Sequence, residues 1–215
     1  MIKRIIFDLD NTLIQWEDEK NWDKVYKNIS KQYEISVQQF KEIKKMINNY
    51  EYVEEIFNEE IMQKMINEIL QQKYTAEFIK IILSTFAECV PEQKDAELEE
   101  VLKYLSTKYE LVVLTNWFGW QQEKRLQKYG IYKYFKNVYG ADKFKIKPNK
   151  EAYEIAVGNN KPNECIMIGD GIQNDVEGAI QNGLNAILFN PNYNEQKEKN
   201  NYKTIKNFNE LKSIL

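Results

Sequence analysis

Asp8 and Asp10 stand two residues apart, directly after the apolar run Ile5, Ile6, Phe7. If that run is a strand and stays extended, both carboxylates point the same way, roughly 7 Å apart along the chain. Two other apolar runs end in polar residues of a related kind. Residues 111–114 lead into Thr115 and Asn116, and residues 165–168 lead into Gly169, Asp170 and Gly171. In a parallel sheet these three ends share one edge, the edge where open α/β sheets bind ligands. Asp170 then joins Asp8 and Asp10. Two like charges about 4 Å apart repel by about 4 kcal/mol at an effective dielectric near 20, so the cluster calls for a cation. Its donors are all oxygens, and Mg²⁺ suits such a set beside a phosphate. The remaining residues fit phosphoryl transfer. A carboxylate can accept a phosphoryl group. The Thr115 hydroxyl and the backbone N–H groups beside it can donate to phosphate oxygens. Gly169 and Gly171 let the backbone approach bound groups. A lysine would complete the charge neutralisation.

Composition removes several other chemistries. The chain has no histidine, which excludes His acid/base catalysis, Ser-His triads and His-ligated zinc. Its two cysteines, Cys89 and Cys165, are too few for a disulfide framework or a Cys-rich metal site, and both sit among apolar neighbours as buried, inert thiols would. A net charge of −3 gives no broad basic field, so a nucleic-acid polymer is not an expected partner. A small anionic substrate is still compatible with a local positive pocket. No basic start leads into a long apolar run and no stretch of 18 apolar residues occurs, so a cytoplasmic protein without export signal or membrane span is expected.

The elements that must position these residues follow from punctuation and periodicity. All 8 glycines lie at Gly119 or beyond, and the first proline is Pro91. A long run without either favours helix. Phe40, Ile43 and Ile47 share one helical face; so do Ile61, Met65 and Ile69, with Met62, Ile66 and Leu70 beside them. Residues from about 16 to 90 thus form a helical unit whose turns rest on Asn, Ser and Asp. Beyond Pro91, helices are expected at 96–105, 121–129, 150–157, 175–181 and from 208. Strands are expected at 111–114, 137–139, 165–168, 186–189 and near 204. Alternating strands and helices indicate a parallel, helix-covered sheet. The expected fold is therefore an α/β, Rossmann-like parallel core, residues 1–15 and 92–215, interrupted by a helical insert, residues 16–91. The polar stretch 190–201 reads as a solvated connection.

DLDNT at 8–12, LTN at 114–116, KP at 147–148 and GDGIQND at 169–175 resemble the four ordered motifs of the haloacid dehalogenase (HAD) superfamily, and the insert resembles the α-helical cap of one of its subfamilies. The resemblance implies a Mg²⁺-dependent phosphatase acting on a small phosphate ester. Asp8 would be nucleophile and metal ligand. Asp10 would protonate the leaving alcohol, activate water and touch the metal through its backbone carbonyl. Thr115 and the Asn116 backbone would hold the phosphate. Lys147, preferred over Lys143 and Lys145 because Pro148 follows it, would stabilise phosphate and nucleophile. Asp170 would bind the metal directly. Asp175 would act behind it, on a metal-bound water or on Lys147, with Asn174 as the rival because the acidic position can shift by one. A dehalogenase shares fold and nucleophile but lacks the second aspartate, present here as Asp10. The resemblance also admits a phosphoglucomutase-like phosphotransferase and a non-catalytic HAD-like binding protein. Trp16 and Trp117 are candidates for stacking on a base or ring, ahead of Trp22 and Trp120. Tyr50 and Tyr52 read as cap core or surface. Oligomeric state is not legible.

Overall fold

Strand β1 (Arg4–Phe7) lies at the centre of a parallel sheet, paired with β2 (Glu110–Thr115) on one side and β4 (Cys165–Gly169) on the other. The computed structural model describes residues 1–50, 55–71, 76–193 and 202–215. Tyr52 and residues 194–201 of the polar connection lie outside these. With β3 (Asn137–Gly140), β5 (Asn185–Phe189) and β6 (Lys203–Ile205), the strand order is β3-β2-β1-β4-β5-β6, every pair parallel. The order reverses between β1 and β4, and such a switch point opens a crevice beyond the carboxyl ends of the strands.

Side-chain alternation builds three layers. Ile5, Phe7, Leu111, Val113, Ile166 and Ile168 face one way, onto α5 (Ala96–Ser106), the end of α6 (Gly119–Tyr129) and the terminal helix α9 (Leu211–Ile214). Ile6, Val112, Leu114, Cys165 and Met167 face the other way, onto α7 (Lys150–Val157) and α8 (Gly178–Gln181). Strands buried on both faces read as continuous apolar runs, which is why they were legible. Each fully buried Ile or Phe contributes about 1.5–3 kcal/mol relative to exposure.

Between β1 and α5 the chain forms α1 (Asp18–Ile29), α2 (Val37–Asn48), α3 (Glu59–Leu70) and α4 (Ala76–Ala87). Their turns use the polar residues expected. Ser36 and Gln39 form a capping box at the start of α2, and Asn58 accepts the Ile61 N–H at the start of α3; such caps contribute about 1 kcal/mol each. Phe40, Ile43 and Ile47 are buried as the spacing predicts. In α3 the neighbouring stripe Met62, Ile66, Leu70 is the buried one, while Ile61, Met65 and Ile69 are only partly covered. These helices share an apolar cluster that continues into Trp117, Phe118 and Ile146 of the sheet side, so the insert is seated over the strand ends.

One expected element differs. The helix predicted from residue 175 is preceded by a π-helical turn, Ile172–Glu177. Both the Asp175 and Val176 N–H groups reach back to the Gly171 carbonyl, and the Asp175 carboxylate accepts the Gly171 N–H at 2.8 Å. The widened turn brings Asp175 under the strand end.

Candidate active site

Phe7 pairs with Val113 and Ile168, so β1, β2 and β4 end within two residues of one another, β2 reaching furthest at Thr115. Asp8 follows at once, with its N–H donating to the Ile168 carbonyl at 2.9 Å. Its carboxylate is buried and accepts from Lys147 Nζ at 2.8 Å. Lys147 is 2% exposed, and the same ammonium donates to Asp175 at 2.6 Å. Lys143 is exposed and Lys145 pairs with Glu55 at the surface, so of the three alternately spaced lysines Lys147 alone reaches this cluster.

Asp8, Asp170 and Asp175 each place a carboxylate oxygen within 4.8 Å of the other two. Burial, opposed by Lys147 and reinforced by Asp175 and Asp170, holds the Asp8 carboxyl well above its ordinary value. Burial and then Asp175 raise Asp170. Burial pulls Lys147 down, but Asp175 and Asp8 outweigh it and hold the ammonium charged. With all three carboxylates ionised, the one lysine would leave two negative charges uncompensated, and it is burial together with this repulsion that raises Asp8 and Asp170. An all-oxygen, anionic cluster of this kind fits a hard divalent cation. Thr12 fixes Asp170 twice: its hydroxyl donates to the carboxylate and accepts the Asp170 N–H, both at 3.1 Å.

Gly169 and Gly171 are required by this packing. A Cβ on Gly169 would meet the Asp175 carboxylate at 2.3 Å, and one on Gly171 would meet it at 2.9 Å. Asn174 lines the same cavity.

Thr115 is buried at the end of β2, its hydroxyl oxygen accepting from Gln122 and from the Trp117 N–H, both at 3.3 Å. Asn116 is spliced to the lysine loop. Its amide nitrogen donates to the Lys147 carbonyl at 3.0 Å, and its oxygen accepts the Lys147 N–H at 2.7 Å. The side chain of Asn116 is thereby occupied.

Asp10 departs from the extended geometry expected. The strand stops at Phe7, and residues 9–14 form a turn in which Asn11 adopts φ 60° and Asp10 bridges to Ile14. The Asp10 carboxylate does not join Asp8 and Asp170. It accepts from Gln122 at 2.5 Å and pairs with Arg125. Arg125 is 1% exposed; its Nε donates to the Cys89 carbonyl at 3.0 Å, and it lies over the Trp16 ring. Gln122, Arg125 and Thr12 carry no role in the sequence reading. The signal for the first two was a glutamine and an arginine on the inward face of an otherwise amphipathic helix, α6.

Asp8, Asp10, Thr115, Asn116, Arg125, Lys147, Asp170 and Asp175 line one cavity of about 520 Å³. Its floor holds Asp8, Thr115, Lys147 and Asp170. Its far wall is aromatic: Trp16, Trp22, Tyr50 and Phe86 from the insert side, with Trp117 from the sheet side. Trp120 is not among the lining residues.

A family model described as haloacid dehalogenase-like hydrolase matches residues 2–183. The chain is 31% identical over 90 residues to pyrimidine 5′-nucleotidase YjjG of Escherichia coli (strain K12), covering 40% of this chain and 40% of that protein. It is 32% identical over 116 residues to glyceraldehyde 3-phosphate phosphatase of Methanothermobacter thermautotrophicus, covering 50% of this chain and 51% of that protein. The chain thus matches about half or less of the length of these curated relatives. The 2-haloacid dehalogenase of Pseudomonas syringae pv. Tomato DC3000 superposes with a TM-score of 0.71 at 17% identity, over 100% of this chain and 98% of that one, a likeness of fold alone.

Proposed function

This chain belongs to the haloacid dehalogenase-like hydrolase family, and from that premise we propose that it is a Mg²⁺-dependent phosphatase of small phosphate monoesters, with residues 16–91 as its cap. The observation that carries the reading is the buried Lys147 bridging Asp8 and Asp175 beside Asp170 at the end of three parallel strands.

Asp8 is the nucleophile. One of its oxygens attacks phosphorus, forming an aspartyl-phosphate as the bond from phosphorus to the leaving oxygen breaks. Asp10 gives its proton to that oxygen. Water then attacks the aspartyl-phosphate, Asp10 takes the proton, and inorganic phosphate leaves with the Asp8 carboxylate restored. The Thr115 hydroxyl and the Asn116 backbone N–H hold the phosphate oxygens, and Lys147 offsets charge on both phosphate and nucleophile. Asp8 and Asp170, with the Asp10 backbone carbonyl, would hold Mg²⁺, which offsets phosphate charge when bound. Asp175 orients Lys147. The presence of Asp10 favours phosphate over halide chemistry, since a second carboxyl group can protonate a leaving alcohol, which a departing halide does not need.

Release of inorganic phosphate from p-nitrophenyl phosphate, dependent on Mg²⁺ and abolished by Asp8→Asn, tests the proposal. A folded wild-type protein that frees no phosphate from a broad panel of monoesters would sink it.

A further inference from the structure

The half of the cavity away from Asp8 is built for an uncharged ring. Trp16, Tyr50, Phe86 and Trp117 line it, and the Trp16 and Trp117 rings remain partly exposed there. Among the described residues, Arg125 and Lys147 are the cations lining the cavity; Asp10 already takes the charge of the first, and Asp8 and Asp175 that of the second. Asp18 adds a further carboxylate to the lining. A leaving group that carries a carboxylate or a second phosphate would find no counter-charge, and burying an unpaired anion is strongly unfavourable.

A second observation comes from Gln121, in the first turn of α6. It is 0% exposed, it lines this cavity, and neither its amide nitrogen nor its amide oxygen has a hydrogen-bond partner. Trp22 Nε1 and Arg125 Nη2, on two other lining residues, are equally unpartnered. Of the six buried side-chain atoms left without partners among the described residues, four therefore belong to residues that line this one cavity. An unmet buried polar group is a standing cost, and such groups call for an explanation such as a bound ligand. A primary amide with both halves unmet offers a donor and an acceptor side by side. The edge of a nucleobase presents the complementary pair, which a glutamine can bind bidentately.

We infer that the leaving group is a nucleoside, its base stacked against Trp117 and Trp16 and its edge read by the amide of Gln121, so that the substrate class is a nucleoside 5′-monophosphate. This rests on the phosphatase reading above and narrows it.

The test compares kcat/KM, with Mg²⁺, for the uridine, cytidine, adenosine and guanosine 5′-monophosphates against ribose 5-phosphate, glucose 6-phosphate and phosphoglycolate. Ribose 5-phosphate carries the same reacting alcohol without the base. Stacking plus a bidentate pair predict a preference for the best nucleotide over ribose 5-phosphate on the order of 100-fold. A ratio below about tenfold, the size of one modest contact, overturns the inference. Phosphoglycolate or glucose 6-phosphate outrunning every nucleotide also overturns it. The same ratio is then measured in Gln121→Leu and Trp117→Leu. It falls about tenfold or more in each folded variant if these side chains hold the base, and an unchanged ratio overturns the placement. Gln121→Leu also removes the unmet amide, so its melting temperature without ligand equals or exceeds that of wild type, which keeps this arm readable if the Trp117 variant does not fold. Failure of the phosphatase reading looks different: no ester in the panel, p-nitrophenyl phosphate included, releases phosphate.

Discussion

The carboxylate of Asp10 is turned away from Asp8 and tied to Arg125, a residue 115 positions later on α6. The same guanidinium reaches the Cys89 carbonyl at the end of the helical insert and lies 5.3 Å from the centre of the Trp16 ring at its beginning. Arg125 therefore joins the proposed acid/base to both chain crossings between sheet and insert.

If Arg125 sets the position of Asp10, its loss will be felt most where the leaving oxygen needs a proton. Arg125→Met is expected to lower kcat about 100-fold on alkyl phosphates, and less than about tenfold on p-nitrophenyl phosphate, whose phenolate leaves unaided. Arg125→Lys will not restore the alkyl rate, because a lysine cannot span Asp10, Gln122 and the Cys89 carbonyl together. Equal losses on both substrates would reduce Arg125 to a packing role.

The raised Asp8 carboxyl makes a prediction about pH. A folded-state value above the unfolded one, near 3.8, means the folded chain holds that proton more tightly. Stability from this group is full below about that value and is lost as pH rises through the folded value. Asp170 acts in the same direction. Without metal, Asp8→Asn should therefore raise the melting temperature relative to wild type by a few degrees at pH 7.5, and by less at pH 4.5. Mg²⁺ should stabilise wild type more at pH 7.5 than at pH 5, because protons compete for the same oxygens. Calorimetry with Mg²⁺ and with a chelator reads both.

Asp8→Asn is also expected to lower phosphate release by about 10⁴-fold or more. Residual turnover of a tenth or more would place the nucleophile elsewhere.

Lys147→Met leaves the buried Asp8 and Asp175 carboxylates without their shared counter-charge. Breaking a buried pair costs about 3–5 kcal/mol, so the denaturation midpoint should fall sharply without metal. The loss should shrink at low pH, where the carboxylates protonate. A midpoint independent of pH would contradict this electrostatic account.

Gly140 makes a purely steric prediction. A Cβ there would lie 2.1 Å from the Gly119 backbone nitrogen, where β3 crowds the start of α6. Ala141 and Trp117 share a backbone hydrogen bond of 2.9 Å in the same place. Gly140→Ala must push these backbones apart, at a cost of about 1–3 kcal/mol. It should also lower kcat, since Trp117 follows directly on Thr115 and Asn116. A chemical melt together with steady-state kinetics checks both.

Much of this was legible in the sequence because apolar strands buried on both faces announce themselves, and their polar ends mark the sheet edge. Asp8, Thr115, Lys147 and Asp170 all sit at that edge. What escaped was set by tertiary geometry. Asp10 leaves the strand direction because Asn11 turns the chain, and alternation ends with the strand. Gln121, Gln122 and Arg125 escaped because polar residues on a helix carry no compositional sign of burial; here all three are buried, and Gln121 and Arg125 line the cavity. The π-helical turn at Ile172–Glu177 has no compositional signature apart from the glycines that make room for Asp175.

The reciprocal pair between Asn116 and Lys147 has a consequence for how such an enzyme can change over evolutionary time. It works like an extra rung of sheet, built from one side chain and one backbone, and it locks two loops into a single rigid part. Together with the Thr12–Asp170 and Lys147–Asp175 links, the wiring of that part stays within the sheet side of the chain. Drift in the inserted helices can reshape what the cavity admits without disturbing the reacting atoms. Two ties cross over: Arg125, whose grip on Cys89 carries a cap-side change back to Asp10, and the Ile146 N–H beside Lys147, which donates to the Glu55 carbonyl at 2.7 Å. New substrates would then be recruited by altering helices that never touch phosphorus, with these two ties setting how freely that can happen.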